Sequence, residues 1–431
     1  MTSTSLTSKP VDSRSLLRRD RDFARLWLGE SVSAVGTQIS LLAIPLVAVQ
    51  LLNATPGQMG MLGALGTIPY LLFAVLAGVW VDRSRKRPLL IGAHLAEAAL
   101  LLLIPVLAVL DVLRLGHLYA IVFGLGIGKV LFEVAYQSYL SQLVERDDLV
   151  QANSRLSAST SVAEIGGPGL GGLLVGAVTA PIAVVVDAVS FLISALALSR
   201  IRRSEPAPAV DRTRRSVRIE VAEGFRETFR NRYLLAFAGE AATYNMAWTG
   251  IHTLLVLWAV RELGLSATTL GLLLSVGSVG ALFGALLTDR LARTVGVGRA
   301  MWTSAVVSNL GVLLIPAAAG DRTAVLLVLG TAFFLQGLGM TGTNVHTYAI
   351  RQAVTPTAML GRVNAAYRVL TYGFVPLGAL LGGLLGEAIG LRPALLVGAL
   401  VLFPSWCWLF FSPARSLRTL AAAGAVSECS N

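Results

Sequence analysis

The sequence predicts an all-α membrane protein with twelve transmembrane helices in two pseudo-symmetric six-helix bundles. Three observations lead there. Hydrophobic residues fill 55% of the 431 positions and charged residues only 14%, with a mean hydropathy of +0.71, well outside the range of soluble globular domains. Apolar runs near the ~20 residues that a spanning helix needs recur about twelve times. The second half of the chain also repeats the first at a fixed offset.

In order, the runs fall at 24–52, 57–80, 88–110, 117–140, 153–178, 181–200, 233–258, 266–288, 299–318, 322–347, 360–387 and 391–411. Residues 78–88 are the charged hinge between the second and third. Upstream, 57–80 holds no Lys, Arg, Asp or Glu; downstream, 88–110 holds only Glu97 of these types. Asp82 sits where the first of the two helices ends, a poor place for an anion because a helix C-terminus already carries partial negative charge. Asp82 therefore needs a positive partner. Arg83, Arg85, Lys86 and Arg87 suit the helix end and anchor it on the cytoplasmic side. Pro88 is suited to open the next helix, whose first N–H has no partner to lose.

Basic residues fix the orientation. With both termini inside, all but five of the 35 Lys and Arg lie in the tails, the even-numbered loops or the adjoining helix ends. Arg114, Arg261, Arg322 and Arg392 fall outside, and Lys129 falls within a helix. The reverse orientation would violate the positive-inside bias. The net charge of +11 follows from this topology, and its dispersal among loops argues against a nucleic-acid partner. The expected domains are a cytoplasmic tail (1–22), a first bundle (23–200), a cytoplasmic linker (201–232), a second bundle (233–411) and a second cytoplasmic tail (412–431). The linker opens with the flexible run Ser204-Glu205-Pro206-Ala207-Pro208. It then places Ile219, Ala222, Phe225 and Phe229 at helical spacing among charges, as in a helix lying in the membrane interface. Cys407 and Cys429 form no metal or disulfide pattern. Residues 1–22 lack a signal-peptide core.

The repeat is the strongest architectural signal. Adding 211 takes Gly126 to Gly337, Gly128 to Gly339, Leu149 to Leu360, Asn153 to Asn364, Gly167 to Gly378, Gly171 to Gly382 and Gly172 to Gly383. An offset of 207 returns the hinge as Asp289-Arg290 after Gly284-Ala285. A parallel six-helix repeat places a cavity between two halves near the middle of the bilayer.

Gly78-x-x-x-Asp82-Arg83-x-Arg85-Lys86-Arg87 resembles the loop 2-3 signature of the major facilitator superfamily, with Arg85 in place of its usual glycine. Gly167-Pro168-Gly169-Leu170-Gly171-Gly172 resembles the core of that superfamily's antiporter motif, which implies export. Ala163 and Ser154 replace the motif's distant glycines, and Val122 stands where many proton-coupled drug exporters have an arginine. Leu149-x-x-Ala152-Asn153 and Asp187-Ala188-x-Ser190-Phe191 are most similar to the enterobactin-exporter and macrolide-efflux branch. The resemblance covers residues 23–411. It implies that Asp82 latches the cytoplasmic ends of helices 2 and 11, with Asp289 and Arg290 as the symmetric counterpart, and that the glycine motif sets a bend in helix 5.

Independently of the resemblance, Gly167 and Gly171 expose backbone on one helix face, and Pro168 removes a hydrogen bond there. Tight packing alone accounts for these glycines equally well. Ionisable groups at bilayer depth are costly and mark transport chemistry. Lys129 and Glu133, one turn apart, are placed to pair directly as a proton-coupling site, with Tyr136 beside them as a substrate contact; a static structural pair is the simpler reading. Glu240 is the second proton candidate. Tyr244, Asn245, Trp248 and His252 follow it as an aromatic and polar wall suited to a ring-bearing substrate, and Asn344 is the repeat counterpart of Glu133. Glu30 is near enough to the cytoplasmic end to reach Arg25 or water. Glu97, Glu164 and Asp187 are further carboxylates, Asp187 as a packing element near the outer face, and His346 is a lone histidine.

These features favour a secondary active exporter, a proton antiporter of an amphipathic small molecule such as a drug, antibiotic or siderophore. It is expected to be monomeric, to need no cofactor or metal, and to reside in the plasma or bacterial inner membrane. An importer or uniporter on the same fold is the alternative. No HExxH, nucleophile elbow or phosphate loop supports an enzyme. Single cysteines replacing Arg83 and Arg290 should react with a membrane-impermeant maleimide from the same face; labelling from opposite faces would refute the duplicated topology.

Overall fold

In a bilayer every backbone N–H and C=O must find its partner within the protein, and a helix supplies one locally. The computed structural model describes residues 16–205, 217–356 and 359–419 and is helical throughout, with no strand among them. In order come α1 (Leu16–Arg19), α2 (Arg21–Leu46), α3 (Pro56–Arg83), α4 (Lys86–Val109), α5 (Leu115–Leu143), α6 (Leu149–Ala177), α7 (Ala180–Ser199) and α8 (Val217–Arg230). The second half holds α9 (Arg232–Arg261), α10 (Ala267–Val295), α11 (Val297–Leu314), α12 (Arg322–Val354), α13 (Leu360–Gly373), α14 (Val375–Ile389), α15 (Leu391–Leu402) and α16 (Trp406–Phe410). Among the described residues, nine helical stretches are long and apolar enough to cross a membrane. α3, α6 and α9 match them in length at 28, 29 and 30 residues.

Side-chain caps set several helix starts. Asp20 accepts from the N–H groups of Asp22 and Phe23 at α2, and Asn231 from those of Tyr233 and Leu234 at α9. Thr55 and Gln58 cap each other's backbone at α3, and Ser266 and Asp321 open α10 and α12. Each such cap contributes roughly 0.5–2 kcal/mol. α4 starts at Lys86, so Pro88 is its third residue rather than its first; that N–H is still among the four a helix start leaves unpaired. Pro45 precedes a π-helical turn, Val47–Leu51, and Pro376 lies just past the break at Phe374 that divides α13 from α14. Both follow from the missing N–H and the clash of the ring with the preceding turn. The linker helix α8 takes in Ile219, Ala222, Phe225 and Phe229, as their spacing predicts; Pro206, Pro208 and Cys429 lie outside the described residues.

α2 to α7 pack on one another, as do α9 to α16, and the two sets meet chiefly along α6 with α10 and α3 with α14. Lipid is as apolar as leucine, so helices in a membrane associate through close packing of small residues. A Cβ on Gly172 would lie 3.0 Å from Gly271 Cα, and one on Gly383 would lie 2.7 Å from Gly60 Cα. Gly172 and Gly383 are 211 apart, as are Gly60 and Gly271, so the two contacts exchange under the sequence repeat. Within each half, Gly126 packs on the Gly66 carbonyl, and Gly337, the counterpart of Gly126, packs on the carbonyl of Gly277, the counterpart of Gly66. Both contacts between the halves lie toward the end of the molecule that carries Asn53, Val178 and Gly390. Gly383→Val forces a side chain into that backbone contact and should cost about 1–3 kcal/mol, read as a lower melting temperature in detergent; an unchanged melting temperature would mean the halves are held elsewhere.

Candidate functional site

A cavity of about 920 Å³ lies between the halves, walled by α2 to α7 on one side and by Thr249, His252 and Thr253 of α9 on the other. Glycine contacts close it at the Asn53 end. At the opposite end the first turns of α6, including Asn153 and Ser157, line it. Four carboxylates, Glu30, Glu97, Glu164 and Asp187, face it alongside Lys129, His94 and His252.

The chemistry concentrates on α4. His94 and Glu97 are three residues apart and so share a helix face. His94 Nδ1 lies 3.0 Å from Glu97 Oε2 and Nε2 lies 3.5 Å from Glu30 Oε1 on α2. The imidazole is held between Phe132 and Phe191, with ring centroids at 4.1 Å and 5.0 Å. His94 is 2% exposed and Glu97 4%. Such groups persist in a low-dielectric interior only with partners at hand. Glycine makes the room: a Cβ on Gly128 of α5 would lie 2.8 Å from Glu97 Cγ, and one on Gly36 of α2 would strike Asp187 Oδ1 at 2.5 Å. Asp187 also accepts from Ser190 Oγ at 3.1 Å. The result is a histidine between two carboxylates on a cavity wall.

Several sequence expectations need correction. Glu133 pairs not with Lys129 but with Arg368 of α13, across the two halves. Arg368 also lies 5.5 Å from the centroid of the Tyr70 ring, and Tyr70 in turn lies 5.8 Å from Tyr372. Lys129 is exposed to the cavity. Helical spacing permits the Lys129–Glu133 pair, but a guanidinium from the facing half satisfies the carboxylate first. Glu30 turns to His94, while Arg25 takes Asp22 at 2.6 Å. Asp187 lies on the cavity wall, about two turns from the start of α7.

The α9 wall divides. His252 lines the cavity, as does Tyr136 on α5. Tyr244 instead lies 3.2 Å from Ser308 Oγ and accepts from Gln336 Nε2 at 2.9 Å. Asn245 donates to the Thr371 carbonyl at 3.2 Å. Trp248 stacks between Tyr244 and His252 and, like Asn344, is not among the cavity-lining residues. Glu240 is 5% exposed inside the second half and away from the cavity. His346 is likewise buried there, its Nε2 without a hydrogen-bond partner.

At the hinge, the Asp82 side chain lies outside the described residues. A Cβ on Gly78 would meet nothing within 4 Å, and Arg83 and Arg85 are exposed. Arg87 donates through Nε to the Leu198 carbonyl at 2.9 Å and through its guanidinium to that of Ser199, tying α4 to the end of α7. Glu205 accepts from the backbone N–H groups of Lys86 and Arg87, capping α4 from the linker. Asp289 and Arg290 are exposed on α10, and Asp289 makes no ion pair among the described residues. Gly167 and Gly171 pack against Gln38 and Ile39 of α2, while Pro168 and Gly172 face α10.

The sequence has a counterpart among known families: the model described as Major Facilitator Superfamily matches residues 26–377 and again 241–428. The chain belongs to that superfamily. It is similar to the multidrug efflux pump Tap of Mycolicibacterium fortuitum, at 28% identity with 86% of this chain and 92% of the relative covered. It is also similar to the enterobactin exporter EntS of Salmonella choleraesuis, at 26% identity with 86% and 87% covered. Among solved structures, an inward-facing bacterial homologue of the iron transporter ferroportin matches with a TM-score of 0.71 at 17% identity, covering 92% of this chain and 99% of that one.

His94 is the residue that sequence reasoning missed in this major facilitator chain. Its signal was present: a histidine and a glutamate at helical spacing inside an otherwise apolar run. Removing one member of a buried charged cluster costs about 3–5 kcal/mol because the others are left unpaired. His94→Leu should therefore lower thermal stability in detergent, and adding Glu30→Gln and Glu97→Gln should restore much of it. A wild-type melting temperature for His94→Leu would show that the carboxylates do not depend on the imidazole.

Proposed function

We propose that this protein is a secondary active exporter that exchanges protons for an amphipathic small molecule, a drug, antibiotic or siderophore, by alternating access. The observation that carries the reading is the Glu30–His94–Glu97 cluster, buried on the wall of a cavity large enough for a drug-sized ligand. A proton delivered to this cluster changes the charge facing the cavity, and with it the affinity for a charged solute. Four carboxylates against one lysine on the lining favour a substrate with a positive charge as well as apolar surface. Similarity to a multidrug pump and to an enterobactin exporter supports outward transport.

In this reading twelve helices cross the cell membrane in two six-helix halves, 23–200 and 233–411. The termini and the 201–232 linker are cytoplasmic, and α8 lies in the interface. The cavity faces the cytoplasm in the present conformation. Opening to the other side requires the Gly60–Gly383 and Gly172–Gly271 contacts to part and the Ser84 end to close, where the Asp82 loop serves as the latch.

The test has two arms. Accumulation of ethidium, erythromycin and enterobactin in cells expressing the protein, with and without a protonophore, should show protonophore-sensitive reduction for at least one of them; increased accumulation would favour import. In proteoliposomes with that compound, His94→Gln and Glu97→Gln should abolish pH-driven transport while compound-for-compound exchange persists with an affinity that no longer varies with pH, since the altered cluster cannot link a proton to the substrate. Undiminished pH-driven transport in both variants would move the proton site away from α4, with Glu240 the next to examine.

A further inference from the structure

The α6–α10 contact contains a hydrogen bond that the helix geometry calls for and the general packing argument does not. Pro168 has no N–H, so the carbonyl four residues before it, that of Glu164, loses its helical donor. Ser278 of α10 donates to that carbonyl at 2.7 Å. One turn away, Ser275 Oγ accepts from Gly169 N–H at 2.9 Å, and Thr268 Oγ1 donates to the Gly172 carbonyl at 3.1 Å. Thr268, Ser275 and Ser278 share one face of α10 through their helical spacing. They bracket the proline and the Gly172–Gly271 contact. The symmetric contact is joined differently: Ala379 of α14 stands at the repeat position of Pro168, α3 meets α14 there through Gly60 and Gly63 against the Ala379–Gly383 backbone and side chains, and the hydrogen bond between them, from the Gly57 N–H to the Glu387 carboxylate at 2.9 Å, lies at the helix ends.

Glu164 is therefore a residue with two faces. Its carboxylate lines the cavity, and its carbonyl is held by the opposite half. We propose that Ser278 is a positioning residue for the conformational cycle. It occupies the carbonyl that Pro168 orphans, fixes the register of α10 on α6 while the cavity faces the Ser84 end, and couples occupancy of the cavity at Glu164 to the contact between the halves. The inference rests on the alternating-access reading above. It assigns the proline of the glycine motif a specific consequence: an acceptor presented to the moving partner.

The experiment measures the distance between nitroxide labels at Arg146→Cys and Arg293→Cys, on opposite halves at the Ser84 end, by pulsed electron resonance with Cys407 and Cys429 replaced by serine. The wild-type protein, compared in acid and alkaline buffer, should populate an open and a closed distance. Ser278→Ala and Ser278→Val should each lower the open-to-closed ratio roughly two- to tenfold, the range of one net hydrogen bond, whereas Ser278→Thr, which keeps the hydroxyl, should stay near wild type. In a Pro168→Ala background the restored N–H takes the Glu164 carbonyl, so Ser278→Ala should lose most of its effect, while Ser275→Ala should act the same in both backgrounds. Equal ratios for Ser278→Thr and Ser278→Val, or a Ser278→Ala effect undiminished beside Pro168→Ala, would overturn the proposal. Should Pro168→Ala fail to fold, the threonine and valine comparison decides alone. A single distance in the wild-type protein under both conditions would instead count against alternating access itself.

Discussion

Lipid gives helices no reward for burying one leucine against another, and this constraint governs the molecule. Cohesion between the halves has to come from atoms that approach more closely than lipid tails can, and only residues without a Cβ allow backbone to meet backbone. Gly172 on Gly271 and Gly60 on Gly383 supply that approach at one end. The exchange of these partners under a shift of 211 residues shows why the glycines recur at a fixed offset. The repeat preserves a contact, and the contact needs glycine on both sides.

The same medium decides what happens to charge. A carboxylate in a dry interior must be partnered, and the chain meets this in two ways of different strength. Glu97 and His94 are almost fully buried and packed by Gly128, Phe132 and Phe191, so the loss of a partner leaves an uncompensated group. Glu133 and Arg368 pair across the halves with side-chain exposures of 33% and 42%. Water screens such a pair to about 0–1 kcal/mol. The first arrangement holds its members in place within one half, and the second is a weak, water-reached contact between the halves.

Much of this was legible in the sequence, because hydropathy, basic residues and glycines report on constraints that are local or periodic. The helix spans, the linker helix and the glycine pairs follow from such patterns. Partner choice did not follow. Lys129 and Glu133 satisfy the i, i+4 rule, yet Arg368, 235 residues away from Glu133 in sequence, takes the carboxylate, since nothing in helical spacing shows which helix faces which. His94 was overlooked because its partner Glu30 lies on another helix, and Glu97 alone resembled one stray carboxylate in an apolar run. On α9, His252 reaches the cavity while Tyr244, two turns earlier, packs on Ser308, a difference in depth along the helix that periodicity does not carry.

The two contacts between the halves are related by the repeat but differ in chemistry, and the difference has a mechanical meaning. Backbone-on-backbone contact at Gly60 and Gly383 rests on dispersion, of which a gap of ~0.5–1 Å already removes a quarter to a half, with one hydrogen bond beside it, from the Gly57 N–H at the start of α3 to the Glu387 carboxylate of α14. The α6–α10 contact adds three side-chain hydrogen bonds, which tolerate small rotations but hold register along the helix axes. The α6–α10 contact is therefore held at three points along the helix axes and the α3–α14 contact at the helix ends. Further along α3, Tyr70 meets Tyr372 of α13, and Arg368 of α13 pairs with Glu133 of α5, so on this side the halves also meet through long side chains away from the glycine joint.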